Sequence, residues 1–117
     1  MARNLIQSGY QGAIHFVSQK PGKLFGKPLY TSINQIVEPI DLAILNAAIG
    51  KTVGVRDFDT GIIRAALETN YMGVIHGLAA VLPRMIERGS GHIAIVASLA
   101  GYSGFPDTAA YSPTKAA

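Results

Sequence analysis

The stretch HIAIVASLAGYSGFPDTAAYSPTKAA, residues 92–117, decides the fold because it joins a strand pattern to the start of a helix. Its first six residues are apolar and β-rich enough to predict a strand, and Ser98 follows them directly. A helix is expected to begin near Thr108, where a separation of four residues places Tyr111 and Lys115 on one face, one turn apart. Since α/β folds bind ligands beyond the carboxyl edge of the sheet, the stretch predicts a functional site at this strand end.

The rest of the chain repeats this alternation of strands and helices. Apolar runs predict strands at residues 13–17 and 41–45, and helical spacing predicts a long helical region that ends at Arg88. Asp57 or Asp59 is expected to cap that region. The other local expectations are a helix end at Gly9, a loop over residues 20–30, a helix cap at Thr31, a kink near Pro83 and close helix packing at Gly73 and Gly77. The whole pattern predicts an α/β fold with a mainly parallel sheet that is covered on both faces.

Composition excludes several classes of protein. The chain has 117 residues, of which 49% are apolar and 15% are charged, as expected of one compact globular domain. The absence of cysteine excludes disulfides and cysteine-ligated metals, and the three histidines lack metal-ligand spacing, so no metal is expected. No apolar run reaches the roughly 18 residues of a membrane span, and the first residues lack a signal-peptide pattern. The prediction is a soluble, cytoplasmic protein with no membrane partner.

The net charge of +3 is concentrated in the N-terminal third of the chain. Three lysines, Lys20, Lys23 and Lys27, lie in the expected loop around Pro21 and Gly22, where they would be able to meet a phosphate group. No stripe of arginine or aromatic residues accompanies them, which favours ordinary solvated lysines. No nucleic-acid partner is therefore expected.

Tyr111, Lys115 and Ser98 form the strongest candidate constellation. A nearby ammonium stabilises a phenolate, so Lys115 would make Tyr111 a usable proton donor or acceptor. The hydroxyl of Ser98 would then hold a carbonyl oxygen in place. On the residues alone, an ordinary surface tyrosine and lysine beside a strand-end serine remain an alternative, because Tyr-x-x-x-Lys is a weak motif by itself.

Residues 41–117 resemble the central part of a short-chain dehydrogenase/reductase. The resemblance rests on DLAILNAAIG at residues 41–50, on LETNYMGVIHG at residues 67–77 and on the stretch at residues 92–117, in the order and spacing of the family. It implies a Rossmann-like, three-layer α/β fold. It also implies an oxidoreductase that uses NAD or NADP to interconvert an alcohol and a carbonyl compound.

The same resemblance implies roles for individual residues. Tyr111 would be the catalytic acid or base, and Lys115 would bind the nicotinamide ribose and tune the tyrosine. Ser98 would orient the substrate, and Asn70 would position a water molecule in the proton relay. The implied cofactor-binding residues are Asn46, Ala47, Ala48, Gly50, Tyr111 and Lys115. The implied partners are a small-molecule alcohol or carbonyl substrate and a second copy of the chain, packed through residues 70–88 and the final helix.

Residues 1–45 resemble a different family, the CoA-binding, Rossmann-like domain of acyl-CoA synthetases and succinyl-CoA ligases. The resemblance is carried by NLIQSGYQGAIHFVSQKPGKLFGKPLYTSINQIVEPIDLAIL, residues 4–45. It implies CoA as an alternative ligand, with Ser18 and Lys20 as its contacts.

The meeting of the two resemblances predicts a chimera or fragment. Residues 1–117 would form a single partial Rossmann-like domain, with a CoA-binding-like segment over 1–40 and a dehydrogenase-like segment over 41–117. The first strand and the C-terminal strands of the fold would be missing, so the strands at 13–17 and 41–45 would pair with each other or leave a gap for another chain.

Three functions follow from these interpretations. The first is an NAD- or NADP-dependent oxidoreductase with little activity as it stands, because the family's glycine-rich phosphate turn is not found in the sequence. The match at residues 89–94, GSGHIA, precedes a strand and therefore cannot serve as that turn. The second is a non-catalytic module that binds CoA or another nucleotide. The third is a recombined chain that retains the catalytic residues without activity, so the sequence leaves open whether the chain is an enzyme.

Overall fold

The computed structural model describes residues 2–117, which form two compact units, one that ends at Pro39 and one over Ile40–Ala117. The boundary between the units lies beside the segment boundary expected at residues 40 and 41. Every residue implied in the dehydrogenase-like site belongs to the C-terminal unit.

The N-terminal unit consists of a short helix and a small mixed sheet. Its elements are α1 (Ala2–Gln7), β1 (Phe16–Val17), β2 (Gly22–Leu24), β3 (Lys27–Tyr30) and a 3₁₀ helix (Ile33–Gln35). The strand order is β1-β3-β2, with β1 parallel and β2 antiparallel to β3. Gly9 follows α1 with a φ of 73°, as the predicted helix end requires.

The expected loop over residues 20–30 is wrong, because most of these residues form a β-hairpin. Strands β2 and β3 pair across Phe25 and Gly26, whose φ angles are 51° and 76°. Two consecutive residues with positive φ match the twist of antiparallel strands, and a glycine adopts this conformation without steric cost. The glycines and prolines in this segment therefore belong to a hairpin, not to a loop.

Two further local predictions in this unit are corrected by hydrogen bonding. The strand expected at residues 13–17 is reduced to β1, which pairs with β3. The cap of the 3₁₀ helix is Ser32, not Thr31: the Ser32 hydroxyl oxygen accepts from the Asn34 amide at 3.2 Å. The side chain of Gln35 accepts from the Ser32 amide at 3.1 Å, which completes a capping box.

The C-terminal unit contains the predicted parallel strands and the long helical region. Its elements are β4 (Leu42–Leu45), α2 (Thr60–Ala66), a π-helical turn (Leu67–Met72), α3 (Gly73–Arg88), β5 (His92–Ile95), a 3₁₀ helix (Leu99–Gly101) and α4 (Ser112–Ala116). Strands β4 and β5 are parallel, with Leu42 opposite His92 and Leu45 opposite Ile95. These elements form part of an α/β, Rossmann-like fold.

The ends of the helices follow from local chemistry. Asp59 is the cap of α2, since its carboxylate accepts from the Gly61 amide at 2.7 Å. Gly89 ends α3 in the left-handed region, at a φ of 70°. The helix expected near Thr108 begins later, at α4, because the Thr108 hydroxyl instead donates to the Phe105 carbonyl at 2.6 Å and closes a turn.

Helix α3 packs closely on strand β4 within the chain. A Cβ atom placed at Gly77 would lie 2.7 Å from Cδ2 of Leu45, so a larger residue here would require the Leu45 side chain to shift. At the end of the helix, Nη2 of Arg88 donates to the Ile40 carbonyl at 2.9 Å and pairs with Asp41 at 3.3 Å. These contacts fix the register between the helix and the beginning of the strand.

A small apolar core lies under helix α2 and the segment before α4. It consists of Val53, Ala66 and Ala110, with Ile62 and Ile63 packed against it. None of the helices in the described residues is both long and apolar enough to cross a membrane.

Candidate active site

Ser98 lies shortly after the carboxyl end of strand β5. Its side chain is half-buried, and its hydroxyl oxygen accepts a hydrogen bond from the Ala100 amide at 3.2 Å. This bond makes Ser98 the cap of the 3₁₀ helix that follows. The hydroxyl proton is left to donate to a carbonyl oxygen.

Lys115 connects helix α4 to the same strand end. Its ammonium group donates to the Val96 carbonyl at 2.8 Å and lies 5.8 Å from the centre of the Tyr111 ring. A charge-assisted hydrogen bond to a partly buried carbonyl is among the stronger contacts available to a lysine. It holds the helix that carries Tyr111 beside the strand that leads to Ser98.

Asn70 is the most deeply buried of the four predicted catalytic residues. Its side chain is 3% exposed and lies in the π-helical turn between α2 and α3. The amide oxygen accepts from the Ile49 amide at 2.8 Å, and the amide nitrogen donates to the Ile49 carbonyl at 2.9 Å. Single π turns inside α-helices occur frequently at functional sites, because the wider turn redirects one side chain.

Thr114 is a residue of this network that the sequence analysis did not identify. It is 5% exposed, and its hydroxyl donates to the Tyr111 carbonyl at 2.7 Å while accepting from the Asn70 amide nitrogen at 3.0 Å. No sequence motif points to it, because its partner Asn70 lies far away in the chain.

The residues implied on the cofactor side form an exposed segment after β4. Asn46, Ala47, Ala48 and Gly50 are all exposed. A Cβ atom at Gly50 would lie 3.5 Å from Cδ2 of Tyr111, so Gly50 lies beside the tyrosine ring.

A cavity of about 210 Å³ lies where this segment meets the tyrosine. It is lined by Gly50, Lys51, Thr52, Thr108 and Tyr111. An isolated bridge between Val53 and Thr108 holds the two sides together. The cavity is therefore formed by the segment that follows β4 and the turn that precedes α4.

The other ligand sites considered from the sequence are a metal site and the CoA contacts. Over residues 2–117, no group of three or more histidine, cysteine, aspartate or glutamate side chains is arranged to hold a metal ion. The two residues implied as CoA contacts, Ser18 and Lys20, lie in the N-terminal unit, and Lys20 is exposed.

Comparison with known proteins identifies the class to which this fold and site belong. The family model described as short chain dehydrogenase matches residues 26–117. An uncharacterized oxidoreductase of Myxococcus xanthus is 42% identical over 77 residues, which are 66% of this chain and 30% of that protein. The ketoacyl reductase HetN of Nostoc is 32% identical over 121 aligned residues, covering 94% of this chain and 42% of that protein.

Solved structures show the same relationship. A gluconate 5-dehydrogenase from Burkholderia cenocepacia, in complex with NADP and tartrate, superimposes with a TM-score of 0.66 at 30% identity, over 71% of this chain and 32% of that chain. A xylitol dehydrogenase with bound NAD⁺ gives a TM-score of 0.62 at 36% identity, over 66% of this chain and 30% of that chain. The protein belongs to the short-chain dehydrogenase family.

The extent of these matches bears on the expected chimera. The family match begins at residue 26, upstream of the join expected at residue 41. The CoA-binding resemblance and the chimera receive no support from the related proteins. The chain spans 30% and 42% of the lengths of the Myxococcus and Nostoc relatives.

Proposed function

We propose that the chain contributes the proton-transfer site of an NAD- or NADP-dependent oxidoreductase that interconverts an alcohol and a carbonyl compound. The observation that carries this proposal is the hydrogen bond from Lys115 to the Val96 carbonyl at 2.8 Å. This bond supports the proposal because it holds Lys115 beside Tyr111. Both residues are then near the carboxyl end of a parallel strand, where α/β folds bind their ligands.

In the proposed reaction, the Tyr111 hydroxyl gives a proton to the carbonyl oxygen during reduction and takes it back during oxidation. Lys115 stabilises the phenolate by its positive charge. Ser98 donates its hydroxyl proton to the same substrate oxygen. Asn70 keeps the π-helical turn in place, and its proposed role in a water relay rests on the family resemblance.

The residues present fit the nicotinamide end of the cofactor. The segment over residues 46–50 is exposed, and it adjoins a cavity of which Tyr111 forms one wall. Asn46, Ala47, Ala48 and Gly50 would line one side of the bound cofactor, and Lys115 would contact its ribose. The cofactor would supply the hydride exchange. The related structures contain NAD⁺ in one case and NADP in another, so the proposal includes both.

The proposal has four further parts, which concern activity, substrate, location and assembly. The activity of these 117 residues alone is expected to be low, because no glycine-rich turn after a strand is found among them to bind the cofactor phosphates. The substrate is a small alcohol or carbonyl compound. The proposed location is the cytoplasm, and the proposed assembly is a homo-oligomer that packs through residues 70–88 and α4.

The test is carbonyl reduction followed by loss of NADH or NADPH absorbance. A positioned acid or base contributes about 10²- to 10⁴-fold to rate, so Tyr111→Phe is expected to lower kcat by that factor. Tyr102→Phe is the matched control, because Tyr102 is 90% exposed and lies outside the proposed site. Turnover that is equal in wild type and Tyr111→Phe would reject the proposed function.

A further inference from the structure

The cavity beside Tyr111 contains a charge that the proposed reaction does not use. Lys51 is one of the five lining residues and the only one of them that carries a positive charge. It is exposed and follows Gly50, which lies beside the tyrosine ring. Lys51 and Tyr111 line the same cavity, so a substrate bound there for reaction at Tyr111 would lie close to Lys51.

Some of the polar side chains that line the cavity are hydrogen-bonded, and others are not. The Thr108 hydroxyl is engaged with the Phe105 carbonyl at 2.6 Å and with the Ser112 hydroxyl at 2.7 Å. Within the described part of the chain, neither the Lys51 ammonium nor the Thr52 hydroxyl has a hydrogen bond or an ion pair. Two adjacent donors at the cavity are thus left for a ligand.

The acidic side chain next to the cavity does not neutralise Lys51. Asp107 precedes the lining residue Thr108, but its carboxylate is turned to Gly54, where a Cβ atom would lie 3.1 Å from Oδ1. Its backbone carbonyl accepts from the Val53 amide at 2.8 Å, which fixes this turn. No ion pair between Asp107 and Lys51 forms among the described residues.

We propose that Lys51 is a specificity-determining residue that selects substrates with a carboxylate close to the reacting carbon, namely short oxo acids and hydroxy acids. This proposal rests on the proposed function, since it places the reacting carbon at Tyr111. An unpaired ammonium at a concave site raises the local concentration of anions and forms charge-assisted hydrogen bonds to carboxylates. The Thr52 hydroxyl supplies a second donor to the same group.

The test compares acetoacetate with its neutral methyl ester, methyl acetoacetate, which lacks the carboxylate charge. The readout is the ratio of their kcat/KM values in wild type and in Lys51→Glu, Lys51→Arg and Lys23→Glu. Reversing the charge is expected to lower the ratio by about tenfold, since an exposed ion pair contributes up to about fivefold and the glutamate would in addition repel the carboxylate. Lys51→Arg should keep the ratio. Lys23→Glu, which makes the same change in net charge outside the cavity lining, should also keep it.

A binding measurement makes the proposal independent of turnover. Acetoacetate is titrated into the protein without cofactor while amide chemical shifts are followed, and Lys51→Glu is expected to weaken its affinity by a similar factor. Equal affinity in wild type and Lys51→Glu, or an unchanged ratio of kcat/KM, would overturn the role of Lys51. The proposed function would fail separately, by activity that survives in Tyr111→Phe.

Discussion

At the scale of the residue, a buried polar network organises the site. Asn70 makes three hydrogen bonds, two to the backbone of Ile49 and one to Thr114, and Thr114 returns a bond to the Tyr111 carbonyl. Buried polar groups stabilise a structure only when all of their partners are present. The network therefore couples the strand end, the π-helical turn and the helix that carries the tyrosine.

Replacement of Thr114 by valine tests this coupling. The side chains have the same shape, but valine leaves the Asn70 amide with one unpaired buried donor, which costs about 1–3 kcal/mol. We expect Thr114→Val to lower the free energy of unfolding by that amount in urea denaturation. The control Thr52→Val removes an exposed hydroxyl and should change it by less than about 0.5 kcal/mol. Equal stability of the two variants would show that the Asn70–Thr114 bond contributes nothing.

The residues of the site differ in how well the sequence predicts them. Tyr111, Lys115, Ser98 and Asn70 belong to a family pattern of fixed order, so a single sequence predicts them. Thr114 has no such signal, because its role depends on a partner 44 residues away in the chain. Lys51 was missed for a similar reason: its position at the cavity depends on the bridge between Val53 and Thr108.

At the scale of the element, the site depends on how closely the 3₁₀ helix at Leu99–Gly101 approaches α4. A Cβ atom at Gly101 would overlap the backbone carbonyl of Lys115. The overlap is with backbone and not with a flexible side chain, so the two elements can only separate to accommodate it. The contact holds Lys115 and Ser98 on adjoining elements.

We therefore expect Gly101→Ala to destabilise the protein by about 1–3 kcal/mol, the usual cost of inserting a group into a packed contact. Gly104→Ala is the matched control, since nothing lies within 4 Å of a Cβ atom there. Thermal unfolding followed by circular dichroism checks both. An unfolding midpoint for Gly101→Ala that equals that of Gly104→Ala would contradict the close approach.

Elements with a regular spacing of apolar residues were predictable from the sequence. Elements that depend on hydrogen bonds to other segments were not. Strands β4 and β5 and the helical region that ends at Arg88 follow from apolar runs and helical spacing. The hairpin of β2 and β3 was not predicted, because its turn and its partner strands are rich in glycine, proline and lysine, which also occur in loops. The π-helical turn has no sequence period of its own and is fixed by the hydrogen bonds of Asn70.

At the scale of the whole molecule, the long helix α3 leaves apolar side chains exposed. Ile75 is 40% exposed, Leu82 is 38% exposed and Ile86 is 73% exposed. The three residues are spaced by seven and four positions, so they recur on one side of the helix. This pattern is what the proposed homo-oligomer through residues 70–88 requires.

Ile86→Glu is expected to weaken self-association without lowering stability, because it places a charge at the proposed interface on a side chain that is exposed within the chain. Sedimentation velocity should show a shift of the population toward the monomer. Val55→Glu is the control: Val55 is 96% exposed and lies outside α3, so its population should match wild type. A monomeric wild-type protein would rule out the proposed assembly.

If this chain forms part of a nicotinamide-nucleotide site, NADP(H) or NAD(H) should stabilise it, and a thermal-shift titration measures that effect. NADP(H), NAD(H) and CoA are added in parallel to the purified protein. A ligand at 100 times its Kd adds about 2.7 kcal/mol, which raises Tm by roughly ten degrees for a domain of this size. We expect such a rise with NADP(H) or NAD(H) and none with CoA. A rise with CoA alone, or a cooperative transition that no nicotinamide nucleotide moves, would contradict it.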